Sequence, residues 1–246
     1  MSRKMDHLVL CSTDDVAFRK KETLLSEVTL IHNALPELAA SDVDLTTSLA
    51  RMSIKAPLVI AAMTGGIDEA EQINRDLAAV AQEHGIAFGF GSMRPLVERG
   101  ILKGYQVRDE APDIPLLGNI GVVQAANLTE QAIADLIGST DINALAIHLN
   151  PAMEAFQEGG DNNFRGNLDT IARLRHDLPI PLIVKETSCG ISRTVGRQLA
   201  RIGIEAVDVS GAGGTSWIGV ETLRCKNSHE GAGLGNRRSR RDRPEI

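Results

Sequence analysis

The sequence predicts an α/β fold, a (β/α)8 barrel of the TIM type with about six strand-helix units present. Six short apolar runs each end in polar or glycine residues, and they begin near residues 58, 86, 114, 142, 180 and 204. Helical patterns with apolar residues three and four positions apart lie between most of them, over residues 69–84, 129–137, 167–176 and 192–202. The repeat length is roughly 30 residues, which suits a strand-helix-strand crossover. An open doubly wound sheet is the alternative.

The first run is PLVIAAMTGG at residues 57–66. It is apolar over residues 58–63 and therefore predicts a strand covered on both faces. Thr64, Gly65 and Gly66 follow directly, and we expect the two glycines to let the backbone come close to a ligand. The later runs are IAFGFGSM, IPLLGNIG, INALAIHLN, IPLIVKE and IEAVDVSGAGG. Gly85 and Gly203 stand where glycines commonly end helices.

The composition suits one large globular domain. The chain has 246 residues, of which 43% are hydrophobic and 24% charged, and its net charge is -6. The negative charge argues against a general nucleic-acid binder. No apolar run approaches the roughly 20 residues of a spanning helix, and the first residues do not form a signal peptide. We therefore expect a cytoplasmic protein that binds neither nucleic acid nor membrane.

The composition changes after residue 224. Residues 225–246 contain four hydrophobic residues and five arginines. They cannot bury enough apolar surface to offset chain entropy, so we expect a basic, disordered tail after a barrel domain over residues 1–224. Either this tail is a functional segment, or the chain stops early or its reading frame has slipped, which would leave two barrel units missing.

Polar residues follow each predicted strand, and in such a barrel these positions converge at the carboxyl face. Residues 211–214, GAGG, resemble a turn that cradles phosphate before a helix, although a plain tight turn is the alternative. Lys185 is either a catalytic amine or a cation beside an electron-rich cofactor, with Glu186 as its expected partner. His148 is either a core histidine or a substrate contact, and Glu154 offers the hard oxygen that Mg²⁺ prefers.

Seven motifs together resemble the type 2 isopentenyl-diphosphate delta-isomerases. In chain order they are RKMDHL, HNALPEL, AMTGG, GSMR, HLNP, VKE and AGGTSW, spread over residues 3–224. The resemblance implies an FMN-dependent barrel enzyme of isoprenoid biosynthesis that interconverts isopentenyl and dimethylallyl diphosphate by proton transfer. It also implies reduction of the flavin by NADPH or NADH, Mg²⁺ for the diphosphate, and a homo-oligomer.

The resemblance assigns roles to individual positions, but it assigns no catalytic side chain, and His148 is the nearby candidate. The flavin would contact Met63, Thr64, Ser92, Asn119, Lys185, Ser210 and Thr215. The substrate would contact Arg3, Lys4, Ser92, Arg94, His148 and Asn150, and Glu154 would bind Mg²⁺. Basic residues on an acidic chain suit a diphosphate, and Lys185 would stabilise the anionic reduced flavin.

The sequence departs from the family pattern in two places. Met153 stands where the pattern HLNPxQE has glutamine, and methionine cannot donate or relay a proton. The units that follow AGGTSW in the family carry a further phosphate site, so without them we expect weak flavin binding and little isomerase activity. The alternatives are an FMN oxidoreductase of the 2-hydroxy-acid or glutamate-synthase type, an aldolase with Lys185 as Schiff base, and an inactive truncated isomerase.

Overall fold

The computed structural model describes residues 3–13 and 16–230, with side chains described as far as residue 225. The helices within these residues are α1 (Arg3–Thr13), α2 (Asp68–His84), α3 (Arg94–Arg99), α4 (Val122–Ala125), α5 (Glu130–Thr140), α6 (Pro151–Phe156), α7 (Asn167–Asp177), α8 (Arg193–Arg201) and α9 (Trp217–Glu230). The strands are β1 (Thr47–Leu49), β2 (Met52–Ile54), β3 (Val59–Ile60), β4 (Ala87–Gly89), β5 (Leu116–Gly121), β6 (Ala144–Leu149), β7 (Leu182–Glu186) and β8 (Ala206–Asp208).

Strands β3 to β8 form one parallel sheet of six strands in chain order within the described residues. A doubly wound sheet would reverse its strand order at a switch point, and no reversal occurs in this part of the chain. The sheet is therefore an incomplete barrel of the TIM type, and the prediction of about six strand-helix units is confirmed.

The sheet is buried on both faces along its central strands. Phe88, Leu116 and Ile147 belong to a large core cluster shared with residues of the surrounding helices. A smaller cluster of Leu117, Ala144, Ala146 and Ile183 packs against Leu49 and Ala50 of the antiparallel β1-β2 hairpin. Because neighbouring residues of a strand point to opposite faces, the second cluster fills the inner side of the sheet. The hairpin covers that inner side.

The prediction for the first strand is wrong in extent and burial. Strand β3 spans only Val59–Ile60, and Leu58 and Val59 are 59% and 44% exposed. The reason is that β3 pairs only with β4 in the described residues, so it is an edge strand of the sheet. Near the other edge, Val207 is 39% and Val209 60% exposed.

The predicted helices are confirmed to within a few residues. Thr129 and Ser192 cap α5 and α8, because their hydroxyl oxygens accept hydrogen bonds from backbone N–H groups one turn on. Gly85 ends α2 at φ +63°, and Gly203 follows α8 at φ +78°. The short helices α3 and α6 were not predicted, since six residues are too few for a periodic pattern to be recognised.

Residues 17–46 run over the surface with only two 3₁₀ turns, Leu25–Glu27 and Ala40–Asp42. The large apolar side chains that this arm exposes are Leu24, Leu25, Val28, Leu30, Ile31, Leu35, Leu38, Val43 and Leu45.

At the other end of the chain, α9 continues through the predicted boundary at residue 224, and residues 231–246 of the predicted tail lie outside the described residues. Among the described helices, none has both the length and the apolar character required to cross a membrane.

Candidate active site

The parallel register aligns polar side chains at the carboxyl edge of the sheet. His148 of β6 is paired with Gly121 of β5 on one side and with Lys185 of β7 on the other. Lys185 is in turn paired with Asp208 of β8. Neighbouring strands lie about 4.8 Å apart, so paired residues that point to one face are in contact range. The structure thus brings an imidazole, an ammonium and a carboxylate into one row.

His148 is held from the neighbouring strand by Asn119. Its Nδ1 lies 2.9 Å from Oδ1 of Asn119, whose Nδ2 donates to the carbonyl oxygen of Phe90 at 3.1 Å. Burial lowers the pKa of His148 to about 3, and the positive charges of Lys185 and Lys4 act in the same direction. The ring is therefore neutral at physiological pH.

The expected pairing of Lys185 with the carboxylate of Glu186 does not form. Its Nζ donates to the backbone oxygen of Glu186 at 2.8 Å. The carboxylate instead accepts hydrogen bonds from the backbone N–H groups of Ser188, Cys189 and Gly190. Burial lowers the pKa of Lys185, although Asp208 and Glu186 oppose that shift. Glu186 therefore fixes the loop that follows β7 and leaves the lysine at the rim, a role that sequence reasoning missed.

Helix α1 brings Arg3 and Lys4 to this edge from the start of the chain. Burial lowers the pKa of Lys4 to about 8, and the neighbouring Arg3 adds to the shift. The charge of Lys4 also acts on His148, which places the two side chains in the same region. His7 anchors α1 to α9, because its Nε2 lies 2.7 Å from Oε1 of the buried Glu221. A contact across so much of the chain leaves no local signal in the sequence beyond the RKMDHL motif.

Glu154 lies buried within the short helix α6. Its Oε1 accepts a hydrogen bond from Asn150 Nδ2 at 2.8 Å, and its Oε2 accepts from Gln157 Nε2 at 3.2 Å and from the Asp161 amide at 2.8 Å. No cluster of three or more His, Cys, Asp or Glu residues that could hold a metal occurs in the described part of the chain. Glu154 could therefore supply only one ligand, and a metal there would need oxygens from elsewhere.

Thr64 presents a buried hydroxyl that has no hydrogen-bond partner among the described residues. Its carbonyl oxygen, by contrast, accepts from the Gly91 amide at 3.0 Å. A buried hydroxyl without a partner carries a desolvation cost that a polar ligand would remove.

The expected role of the two glycines after β3 is wrong. A Cβ on Gly65 would stand 2.5 Å from the ring of Tyr105, and one on Gly66 would stand 2.5 Å from Pro95. Gly66 also has φ +76°. Packing against protein side chains, rather than close approach to a ligand, therefore accounts for both glycines.

Several predicted site residues have partners outside this row. Arg94 Nε lies 2.7 Å from Oε1 of Glu98 on the same helix. The Ser92 carbonyl accepts from the Tyr105 hydroxyl at 2.7 Å. Met63 is 49% exposed, and Ser210 has φ +37° with its amide bonded to Asp208 at 3.0 Å.

The glycine turn before α9 is bound to the N-terminal arm. Thr215 forms an antiparallel bridge with Ala17, and the Ser216 amide donates to the Val16 carbonyl at 2.7 Å. Gly214 has φ +79°, and its carbonyl accepts from the Phe18 amide at 3.1 Å. The arm therefore occupies the Ser216 N–H just beyond the predicted phosphate cradle of residues 211–214, and that N–H is not available to an anion.

The chain matches no family model. It is 43% identical over 225 residues to the isopentenyl-diphosphate delta-isomerase of Pelodictyon phaeoclathratiforme, over 90% of this chain and 63% of that protein. It is 42% identical over 236 residues to that of Pseudescherichia vulneris, over 94% of this chain and 67% of that protein. A mutant chimera of (S)-mandelate dehydrogenase is similar at a TM-score of 0.45 and 14% identity, over 67% of this chain and 54% of that one. The chain thus spans less than two thirds of the first relative's length.

Proposed function

The chain belongs to the isopentenyl-diphosphate delta-isomerase family, and on that basis we propose that it interconverts isopentenyl and dimethylallyl diphosphate by proton transfer in isoprenoid biosynthesis. The observation that carries the proposal is the meeting of Lys4, Asn119, His148 and Lys185 at the carboxyl edge of the sheet. Active sites of barrels of this type lie at that edge. Two cations beside a neutral polar pair suit an anionic ligand.

The residues at this edge fit reduced FMN as the cofactor. The Thr64 hydroxyl is a buried polar group in need of a partner, and the Lys185 ammonium is held at the rim by a backbone oxygen. A cation at that position would stabilise negative charge on a reduced flavin. When bound, reduced FMN would supply an acid-base centre next to the alkene. NADPH or NADH would provide the reducing electrons.

The diphosphate would bind near α1. Arg3 and Lys4 sit on that helix, and burial of Lys4 strengthens its attraction for an anion because the local dielectric is low. Glu154 would contribute one oxygen to Mg²⁺, with the remaining ligands from the diphosphate and water, as is usual for this ion. Met153 lies 4.0 Å from Asn150 Nδ2 and has no proton to give, so the proton that moves does not pass through position 153.

We further propose a cytoplasmic homo-oligomer. The support is the row of exposed apolar side chains along residues 17–46, because exposed apolar surface of this extent commonly marks an interface. The barrel domain over residues 1–224 and a basic tail remain part of this proposal, although α9 extends past that boundary to Glu230.

The test is an isomerisation assay with FMN in excess, since an open sheet is expected to bind flavin weakly. Carbon-13-labelled isopentenyl diphosphate is incubated with the chain, dithionite-reduced FMN and Mg²⁺, and the products are followed by NMR. We expect slow formation of dimethylallyl diphosphate with no net oxidation of the flavin. The variant Lys185→Met should lose both flavin affinity and turnover. The control Lys55→Met, at an exposed residue before β3, should lose neither.

Three other results would contradict the proposal. Net oxidation of a substrate would favour the FMN oxidoreductase. Borohydride trapping of a carbonyl substrate on Lys185 without flavin would favour the aldolase. Absence of both flavin binding and product at saturating FMN would favour the inactive chain.

A further inference from the structure

The side-chain amide of Asn119 joins two neighbours whose chemistry fixes its orientation. Its Nδ2 lies 3.1 Å from the Phe90 carbonyl oxygen, and its Oδ1 lies 2.9 Å from Nδ1 of His148. A carbonyl oxygen only accepts hydrogen bonds, so the amide nitrogen must face Phe90 and the amide oxygen must face His148. The amide oxygen is also only an acceptor. Nδ1 of His148 must therefore carry a proton and donate it.

The imidazole has only that one proton to place. Burial lowers the pKa of His148 to about 3, and the charges of Lys185 on β7 and Lys4 on α1 add to the shift, so the ring is neutral. With the proton on Nδ1, Nε2 holds a free lone pair. Nε2 has no hydrogen-bond partner among the described residues. It lies beside Gly121, where an added Cβ would approach it to 3.0 Å. The absence of a side chain at Gly121 keeps this nitrogen open.

We propose that Asn119 is a positioning residue that fixes His148 as the Nδ1–H tautomer, with Nε2 presented to the ligand as a hydrogen-bond acceptor. The ligand group that meets Nε2 is then an O–H or N–H donor and not an unprotonated phosphate oxygen. Anionic oxygens pair instead with Lys4 and Lys185. The statement about the ligand rests on the proposed function, because the proposed function places a ligand at this edge. The assignment of the tautomer does not rest on the proposed function.

The tautomer can be read directly in the wild-type chain without any ligand. Protein labelled with ¹⁵N-histidine is studied by long-range ¹H–¹⁵N correlation NMR at neutral pH, and the His148 ring is identified as the signal missing from His148→Gln. We expect a protonated Nδ1 and an unprotonated Nε2. A proton on Nε2, or on both nitrogens, overturns the proposal. Failure of the isomerase assay would leave this spectrum unchanged, so the two failures are distinguishable.

Two variants of Asn119 test whether it causes the tautomer. Asn119→Asp keeps an oxygen facing Nδ1 and should retain the Nδ1–H form. Asn119→Leu keeps the branched arrangement of side-chain heavy atoms but has no acceptor, and the ring should change to the Nε2–H form that free histidine prefers. If both folded variants kept the wild-type pattern, Asn119 would not be the cause. The wild-type spectrum decides the tautomer even if the leucine variant does not fold.

The acceptor role is tested with inorganic diphosphate as the probe. Saturating diphosphate should leave Nε2 unprotonated while the signals of the lysine side chains shift. Formation of an imidazolium on addition of diphosphate would show a phosphate oxygen bound directly to His148, and would overturn the acceptor role.

Discussion

The neutral, buried state of His148 has a consequence for stability that can be calculated. The pKa of this ring is lowered to about 3 by burial and by Lys185 and Lys4, whereas an unfolded histidine titrates near its ordinary value of 6.5. Below that value the unfolded chain binds a proton that the folded chain does not. Protonation of His148 therefore does not affect the free energy of unfolding above the unfolded pKa. It lowers the free energy of unfolding as the pH drops from about 6.5 toward 3. At 1.36 kcal/mol per pH unit, the loss between pH 7 and pH 5 is about 2 kcal/mol.

The measurement is urea unfolding of the wild type and of His148→Gln at pH 7 and pH 5. Glutamine cannot titrate, so the variant should lack this part of the acid sensitivity whatever it costs at pH 7. The decisive quantity is the difference between the two pH dependences, which we expect to be about 2 kcal/mol. A difference near zero would mean that His148 in the folded protein is protonated near its ordinary pKa, so that burial and the charges of Lys185 and Lys4 do not keep the ring neutral.

Three further predictions concern the scaffold and are checked by unfolding or proteolysis. Gly65→Ala should lower the free energy of unfolding by about 2 kcal/mol, because the added Cβ would stand 2.5 Å from the ring of Tyr105. The control Gly138→Ala in α5 has nothing within 4 Å of the added Cβ and should raise the free energy of unfolding by about 0.5–1 kcal/mol. Equal effects would contradict the packing role of Gly65. Thr129→Ala should cost about 1 kcal/mol through loss of the α5 cap, and Thr129→Ser should restore most of it. Apart from cuts in the expected basic tail with its five arginines, brief trypsin treatment should cut residues 17–46 before it cuts the sheet, and the reverse order would mean that the arm is not the more accessible segment.

The sequence predicted most of the sheet because parallel strands are buried on both faces and so appear as continuous apolar runs. This explains the success at β5, β6 and β7, each within a run that was recognised. The same rule failed at β3, where the run is apolar but the strand lies at an edge of the sheet. An apolar run does not show whether the strand has neighbouring strands on both sides. The rule that active sites lie at the carboxyl face of a barrel also predicted that the polar residues at the strand ends come together, since that rule depends on topology alone.

What the sequence could not provide were contacts between distant segments and the choice of hydrogen-bond partner. The pairing of His7 with Glu221 positions Lys4, yet it depends on how α1 docks on α9. The partner of Lys185 proved to be a backbone oxygen, which no side-chain pattern can reveal. Such details are decided by distances of a few tenths of an ångström, and these follow from packing rather than from residue type.

The cations at the carboxyl edge lead to the last prediction. Burial lowers the pKa of both Lys4 and Lys185, so the free chain carries a cost for keeping them charged at neutral pH. A bound polyanion should remove that cost, and ligand that binds only the folded state stabilises it by mass action. With inorganic diphosphate at a hundredfold excess over its dissociation constant, the free energy of unfolding should rise by about 2.7 kcal/mol. Lys4→Met should reduce this gain at the same diphosphate concentration, whereas Lys55→Met, at an exposed position before β3, should preserve it. An equal gain in all three proteins would mean that diphosphate binds elsewhere, because only a site that includes Lys4 makes the two substitutions differ.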